Sequence, residues 1–296
     1  MDKTNEELLD AFRRLIEDTT GPSADNIAAA DENLTADQMF QQTELPSLGK
    51  QIFSVVPMHG PTAALFNVKR KDGTNDFELV RKEVEVYPSE AIHTGITQEA
   101  IQDIRGQYGK SANVMIGTLL RGLSNEQENT RTMEFLDANA LDYGALVLSD
   151  SKNAEVNLFE VTQRVHEIVL KINSKNTRSY KAFAVIPYLP LGGLMGLSQY
   201  VGAEDIDERG LFIAKVGQTN FYLNPNSTSL TAYVGIKDYN HSKSSAVFSP
   251  YQSTVIEAVD PDSGENTQHI YNRFAITASP LHEAGNEMLY KFDITL

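Results

Sequence analysis

Apolar residues at helical spacing predict three substantial helices in this chain. They cover residues 4–17, 111–139 and 158–173. The second is far longer than an ordinary globular helix, and its middle, residues 124–132, is almost wholly polar. A helix without an apolar stripe at its centre has no obvious reason to pack inside one domain. We therefore expect this segment to be exposed in an isolated chain or covered by other chains.

Alternating and β-branched runs predict strands between these helices. The predicted strands are 52–56, 64–70, 77–87, 143–149, 182–186, 211–216, 221–223 and 229–239. An Asp-Gly turn in residues 71–75 predicts a hairpin, and Ser249 to Pro280 predicts a second ribbon around an Asp-Pro-Asp-Ser-Gly turn. Shorter helices are expected near 37–42, 97–104 and 190–200. Because helices and strands mix without regular alternation, the predicted class is α+β.

The first hairpin is densely charged. Its basic residues are Lys69, Arg70, Lys71, Arg81 and Lys82, and its acidic residues are Asp76, Glu78, Glu83 and Glu85. An isolated two-stranded ribbon is only marginally stable in water. The hairpin therefore packs either on its own domain or on a neighbouring chain, and the sequence leaves both possibilities open.

Composition limits the classes of function. The chain has 296 residues, 41% hydrophobic residues, no Cys and a net charge of −15. Residues 1–46 hold eleven acidic and three basic residues, so much of the excess lies in this segment. The charge argues against nucleic-acid binding driven by phosphate neutralisation. The acidic N-terminus and the lack of a long apolar run favour a chain that folds in a cytoplasm, without a membrane segment or disulfides.

No motif predicts a metal, a cofactor or catalysis. The six histidines are scattered, without the spacing of a helical metal site. Residues 192–196 are glycine-rich but lack the pattern of a phosphate-binding loop. Residues 260–264 begin like a calcium loop but lack its closing acidic residue, so a simple turn is the better interpretation. We therefore expect that the protein is not an enzyme. An enclosed pocket with converging polar groups would instead favour an enzyme.

Three segments, taken in their order along the chain, resemble a known family. They are residues 55–70, residues 84–108, and residues 233–237, 246–251 and 272–275 taken together. They resemble, in the same order, the Q-P-M-x-x-P-T-G segment, the short helix before the spine helix, and the V-G-Y-K-G, Y-Y-A-P-Y and K-T-R-Y-G series of T-even-type tailed-phage major capsid proteins. The resemblance spans roughly residues 52–280.

The resemblance implies the HK97-like capsid fold and a structural role. Its implied divisions are an N-terminal arm (1–50), an E-loop region (51–92), a peripheral domain with the spine helix (93–145), an axial domain (146–245) and a peripheral C-terminal ribbon (246–296). The chain would assemble into hexamers and pentamers of an icosahedral head around double-stranded DNA. The hairpin tip is shorter than in the T-even family, which carries an inserted domain there.

The implied contacts are mostly with other copies. The candidate inter-subunit residues are Lys69, Arg70, Lys71, Arg81, Lys82, Glu83, Glu85 and Arg273. Further expected partners are scaffold and portal proteins and packaged DNA, bound without sequence specificity. Glu17 closes a Leu-Ile-Glu pattern that fits the family's protease site, although residues 158–160 fit it too. An encapsulin-type compartment shell and a pentameric vertex paralogue remain alternatives.

Overall fold

The computed structural model covers most of the chain after residue 45. It describes residues 46–70, 76–88, 90–97, 102, 106, 112–148, 154–176, 181–187, 211–225, 230–238, 241, 244–259, 266–283 and 287–295. The helices within these residues are α1 (Leu48–Ile52), α2 (Ala112–Asn139), α3 (Ala154–Asn176) and α4 (Pro280–Glu283). None of them is long and apolar enough to cross a membrane.

The strands of the described residues form three sheets. In chain order they are β1 (Ser54–Val55), β2 (Thr62–Arg70), β3 (Phe77–Glu85), β4 (Glu90–Ile96), β5 (Leu141–Val147), β6 (Ala182–Ile186), β7 (Phe212–Val216), β8 (Thr219–Leu223), β9 (Thr231–Ile236), β10 (Ala246–Val259), β11 (Asn266–Ala278) and β12 (Leu289–Thr295). The ribbon sheet has the order β1-β10-β11-β4, the larger sheet β5-β12-β9-β6-β8-β7, and β2 pairs with β3 alone.

The ribbon sheet is built on the long antiparallel pair of β10 and β11. The pairing runs from Ala246 opposite Ala278 to Val259 opposite Asn266, with a register shift between Pro250 and Gln252. A proline cannot donate to a strand ladder, and a bulge is one of the places where a strand tolerates it. The long helix α2 packs against β11, so the ribbon is supported along one face.

The six-stranded sheet packs against α3. Its strand β6 is buried throughout. Ala184 and Ile186 join the core formed with Val165 and Ile168 of α3, whereas Phe183 belongs to a second core. Burial on both faces explains why β6 reads as a continuous apolar run.

The second core lies where the two sheets meet. Leu48 and Ile52 of α1 and the following Phe53 are fully buried there. The Phe53 ring meets Phe135 of α2 edge-on at 5.6 Å and Phe183 of β6 at 5.9 Å. The short segment around α1 is therefore central to the packing between the sheets.

Most long elements agree with the sequence predictions. The α+β class, the hairpin, the ribbon, the long helix and the strand at 182–186 are confirmed. One apolar residue of the predicted helix 158–173, Phe159, is not buried and is 66% exposed. Its neighbours Leu158 and Val161 are buried instead.

Some short or terminal elements were not predicted. Residues 48–52 form a helical turn where the sequence suggested an arm leading into a strand, because five residues are too few to show helical periodicity. Strands β4 and β12 were missed. β12 leaves the ribbon and pairs with β5 and β9 in the six-stranded sheet. The predictions for 4–17, 37–42, 190–200 and the turns at 71–75 and 260–264 lie outside the described residues, as does most of 97–104.

Candidate interaction surface

The β2–β3 hairpin has two chemically different faces. Residues directly opposite one another in an antiparallel pair share a face. Leu65 pairs with Lys82 and Asn67 pairs with Val80, which defines an inner face. Val68, by contrast, pairs with Leu79 on the outer face.

The inner face packs on the chain's own ribbon sheet. Leu65 and Val84 are buried in a core with Val247 and Ala275. The buried Asn67 donates from Nδ2 to the Ser279 hydroxyl at 3.4 Å. The hairpin is therefore held to its own subunit along one side.

Tyr87 anchors the base of the hairpin. Its ring meets Phe274 edge-on at 5.4 Å, and its backbone N–H donates to the Phe274 carbonyl at 2.8 Å. Its hydroxyl lies 3.5 Å from the Ile276 carbonyl. Burial raises the pKa of Tyr87 above its usual range, with the Arg131 guanidinium opposing the shift. The base of the hairpin is therefore held against the ribbon sheet of its own subunit.

The outer face carries a patch of large apolar side chains. We call this set the hairpin patch: Phe66 (49% exposed), Val68 (60%), Phe77 (72%) and Leu79 (64%). Scattered exposed apolar residues are ordinary, but adjacent ones on the same face mark an interaction site. Val68 and Leu79 are directly opposite, and Phe66 is one pair further along the same face. The hairpin patch is the surface that most clearly lacks a partner in the described part of the chain.

The charged residues predicted as contacts surround this patch only in part. Arg81 is opposite Phe66 on the outer face and pairs with Glu83 at 2.8 Å, with both side chains exposed. Glu85 is exposed and Lys82 half-buried. Lys69 and Arg70 lie in β2, opposite Glu78 and Phe77. Lys71 and Glu17 fall outside the described residues.

Arg273 lies in β11 of the ribbon sheet. It is half-buried, and its guanidinium lies over the Tyr251 ring at 5.4 Å. Tyr251 packs against the core that contains Val84 of β3, whose sequence neighbours are the predicted contact residues Glu83 and Glu85. The sequence analysis missed the hairpin patch. Its signal was the run of apolar residues that alternate with the charges, which we used only to predict strands.

The polar middle of α2 is not an open surface, so that prediction is wrong. Glu128 is only 2% exposed, and Asn129 and Thr132 are buried as well. Asn129 accepts a hydrogen bond from the Leu48 N–H at 2.6 Å and donates to the Pro46 carbonyl at 3.1 Å. The chain's own segment before β1 therefore covers this part of the helix.

Glu128 is the charged centre of the same cluster. Lys50 lies 2.9 Å from its Oε2 atom. Asn272 of β11 donates from Nδ2 to Oε1 of Glu128 at 2.6 Å and to the Ser124 hydroxyl at 2.9 Å. One buried carboxylate thus joins α2, the α1 segment and the ribbon. We call Ser124, Glu128, Asn129 and Thr132 the helix cluster.

The described residues contain no group of three or more His, Asp or Glu that could hold a metal ion. The helix cluster pairs internally, through Lys50 and Asn272. The geometry therefore offers an interaction surface as its main functional feature.

Part of the chain is similar in sequence to a known protein family. Residues 195–294, about a third of the chain, match the family model described as major capsid protein Gp23. No curated protein sequence matches the chain. The matched segment includes β7 to β11 and most of β12.

Solved structures share the fold over most of the chain. One from Mycobacterium phage Bobi has a TM-score of 0.54 and 12% identity, covering 94% of this chain and 100% of its own. A virus-like particle from Pyrococcus furiosus has a TM-score of 0.52 and 14% identity, covering 87% and 96%. The capsid of cyanophage P-SCSP1u has a TM-score of 0.50 and 10% identity, covering 82% and 86%.

These similarities define the class of protein. The chain has the HK97-like fold of tailed-phage capsid proteins, as the sequence predicted. Together with the major capsid protein match, the fold supports a structural role in a capsid.

Proposed function

We propose that this chain is the major capsid subunit of a tailed phage, of the T-even type. It assembles with copies of itself into hexamers and pentamers that form an icosahedral head around double-stranded DNA. The observation that carries the proposal is the hairpin patch: four large apolar side chains share one face of a hairpin whose opposite face is anchored to its own subunit.

The form of this surface favours repeated contacts with other copies. A hairpin that docks on a different surface of a neighbour makes a heterologous contact, and such contacts close into rings. Burial of the partly exposed hairpin patch contributes on the order of 1 kcal/mol for each side chain. A modest energy for each contact suits assembly, because incorrect contacts reverse while the completed shell sums many of them.

The architecture suggests a role for each part. We assign the six-stranded sheet and α3 to the axial domain, and the ribbon sheet and α2 to the peripheral domain. The hairpin of β2 and β3 is the E-loop. Since β12 pairs within the six-stranded sheet, the C-terminal strand goes with the axial part in this proposal. β4 goes with the ribbon.

The charged residues of the hairpin supply a second component. We propose that Lys69, Arg70, Lys71, Arg81 and Lys82 meet acidic residues of the adjacent subunit, while Glu83, Glu85 and Arg273 contribute further contacts. Long-range charge sets orientation and the rate of encounter more than affinity. Scaffold and portal proteins are further partners during assembly in the host cytoplasm. Glu17 is the candidate site for cleavage during maturation.

Electron microscopy of the purified full-length chain tests the proposal. We expect rings or closed shells, with nuclease-protected double-stranded DNA in particles taken from infected cells. Closed particles that never contain DNA would favour an encapsulin-type compartment, and particles limited to pentamers would favour a vertex paralogue. A chain that stays monomeric in sedimentation at high concentration contradicts the proposal.

A further inference from the structure

The segment before β1 has more contacts than a connecting loop needs. We call residues 46–53 the strap, which comprises α1 and its flanks. We propose that the strap locks the angle between the ribbon sheet and the six-stranded sheet. The further consequence, that this angle sets the curvature of the shell, rests on the function proposed above.

The strap fills the core at the junction of the two sheets. Leu48, Ile52 and Phe53 are fully buried in one apolar cluster. That cluster also contains Phe248 of the ribbon sheet and Phe183 of the six-stranded sheet. A close-packed core transmits small shifts instead of absorbing them, so a change in the strap's position requires the two sheets to repack.

Polar contacts bind the strap to the ribbon side. Asn129 of α2 holds both the Leu48 N–H and the Pro46 carbonyl, and Lys50 pairs with the buried Glu128. The chain then continues directly into β1, where Ser54 pairs with Val247 of β10. The strap is therefore tied to α2 and to the ribbon sheet.

A second set of contacts binds the strap to the other sheet. Lys237, which follows β9, donates from Nζ to the Lys50 carbonyl at 3.1 Å and also to the Gln51 carbonyl. The Tyr222 hydroxyl of β8 lies 3.5 Å from the same Gln51 oxygen. Burial lowers the pKa of Lys237 and raises the pKa of Tyr222, as expected for groups enclosed at such a junction. Because the strap forms contacts with both sheets, it connects them.

Gly49 shows how closely the strap fits. A Cβ atom at this position would lie 2.8 Å from the Phe248 ring and 2.8 Å from the Thr132 hydroxyl. An alanine there would have to displace the ribbon side, the strap, or both. Gly117 of α2 offers the matched control, since the nearest atom to an added Cβ there, the Gln268 Oε1 atom, would lie 3.9 Å away.

The chain contains no Cys, which allows a direct distance measurement. Spin labels at Val147→Cys on β5 and Val255→Cys on β10 report the separation of the two sheets in the unassembled full-length chain, because both positions are exposed. We expect one narrow distance distribution for the parent protein and for Gly117→Ala. Gly49→Ala should shift or broaden it by about 2 Å or more, the scale of a domain rearrangement.

Lys237→Met provides a second variant if Gly49→Ala does not fold. It removes the tie between the strap carbonyls and the six-stranded sheet without adding volume at the Gly49 contact. We expect a broader distribution with unchanged circular dichroism. The proposal that the strap fixes the angle between the sheets is overturned if Lys237→Met, and Gly49→Ala if it folds, both give the distance distribution of the parent protein.

Particle diameter separates the lock from the proposed function. Electron microscopy of the same variants should show altered or mixed diameters if the angle sets curvature. Shells of parental diameter from a variant with a changed distance distribution overturn the link to curvature alone. A parent protein that forms no shells refutes the proposed function, while the distance measurement still decides on the lock.

Discussion

The hairpin of β2 and β3 and the middle of α2 look alike in the sequence and differ in the structure. Both are polar segments that a single domain has no evident reason to bury. The helix cluster is closed by the strap and by Asn272, whereas the hairpin patch on the outer face of β2 and β3 is left open. The helix cluster is covered by other residues of the same chain, whereas the hairpin patch becomes covered only when another chain binds it.

The difference follows from the side chains involved. Ser124, Asn129 and Thr132 are short and bond at close range to backbone groups or to neighbouring side chains. Buried polar groups are tolerated when their hydrogen bonds are satisfied in this way. The hairpin instead alternates long charged side chains with large apolar ones. A polar run rich in short amide and hydroxyl side chains therefore favours a buried contact within the chain. A run in which large apolar residues alternate with long charged side chains favours a surface that binds another chain.

Loss of Lys50 should have the largest effect on stability. Lys50→Met leaves the Glu128 carboxylate buried without its cation. Removal of one partner of a fully buried ion pair costs about 3 kcal/mol or more, and replacement of both partners by apolar residues costs much less. Lys50 is 44% exposed, so water lowers the cost of losing it from this pair. We expect urea unfolding to show a loss of about 2–3 kcal/mol for Lys50→Met and recovery of most of it in Lys50→Met/Glu128→Met. The exposed Lys215→Met is the control. A loss below about 0.5 kcal/mol would show that the helix cluster is not a closed internal site.

Asn129→Ala tests the same closure with a neutral side chain. The substitution removes the acceptor of the Leu48 N–H and the donor to the Pro46 carbonyl. Buried groups left without partners cost about 1–3 kcal/mol, and we expect about 2 kcal/mol by urea unfolding. Asn139→Ala is the matched control in the same helix, since its amide donates to the Phe135 carbonyl of its own helix at 2.8 Å. Equal losses for the two variants would contradict a special role for Asn129.

Tyr233 supplies a pH test of the internal contacts of α2. Burial raises the pKa of Tyr233 from 10.0 to about 12, reinforced by Asp137 of α2. The folded state therefore keeps its proton where the unfolded state loses it, and stability falls as pH rises from 10 to about 12. The slope from one such group is at most about 1.4 kcal/mol for each pH unit. Urea midpoints between pH 9 and 11.5 should fall less steeply for Tyr233→Phe. Identical slopes would contradict the assignment.

Arg81 should matter least to the isolated chain. Its pair with Glu83 joins two exposed side chains on one strand. Exposed pairs contribute little, so Arg81→Glu should change unfolding of the monomer by less than about 0.5 kcal/mol. A loss of more than about 1 kcal/mol in thermal or urea unfolding would show that the outer face already has a partner inside the subunit.

The parts of the fold visible in the sequence were those with local signals. The Asp-Gly turn between alternating strands predicted the hairpin, and the apolar spacing of residues 158–173 and the apolar run at 182–186 predicted α3 and β6. The strap was not visible, because Leu48 and Asn129 lie 81 residues apart in sequence. The apolar residues of β2 and β3 were visible as strands, but their exposure depends on which face the distant Val247 and Ala275 cover.

The most direct test of the central claim is sedimentation of Phe66→Asp/Leu79→Asp. Both side chains belong to the hairpin patch, so we expect an unchanged melting temperature and loss of rings and shells. The conservative Phe66→Leu/Leu79→Met should still assemble. Normal assembly of the double aspartate variant would contradict the claim that this face of the hairpin joins one subunit to the next.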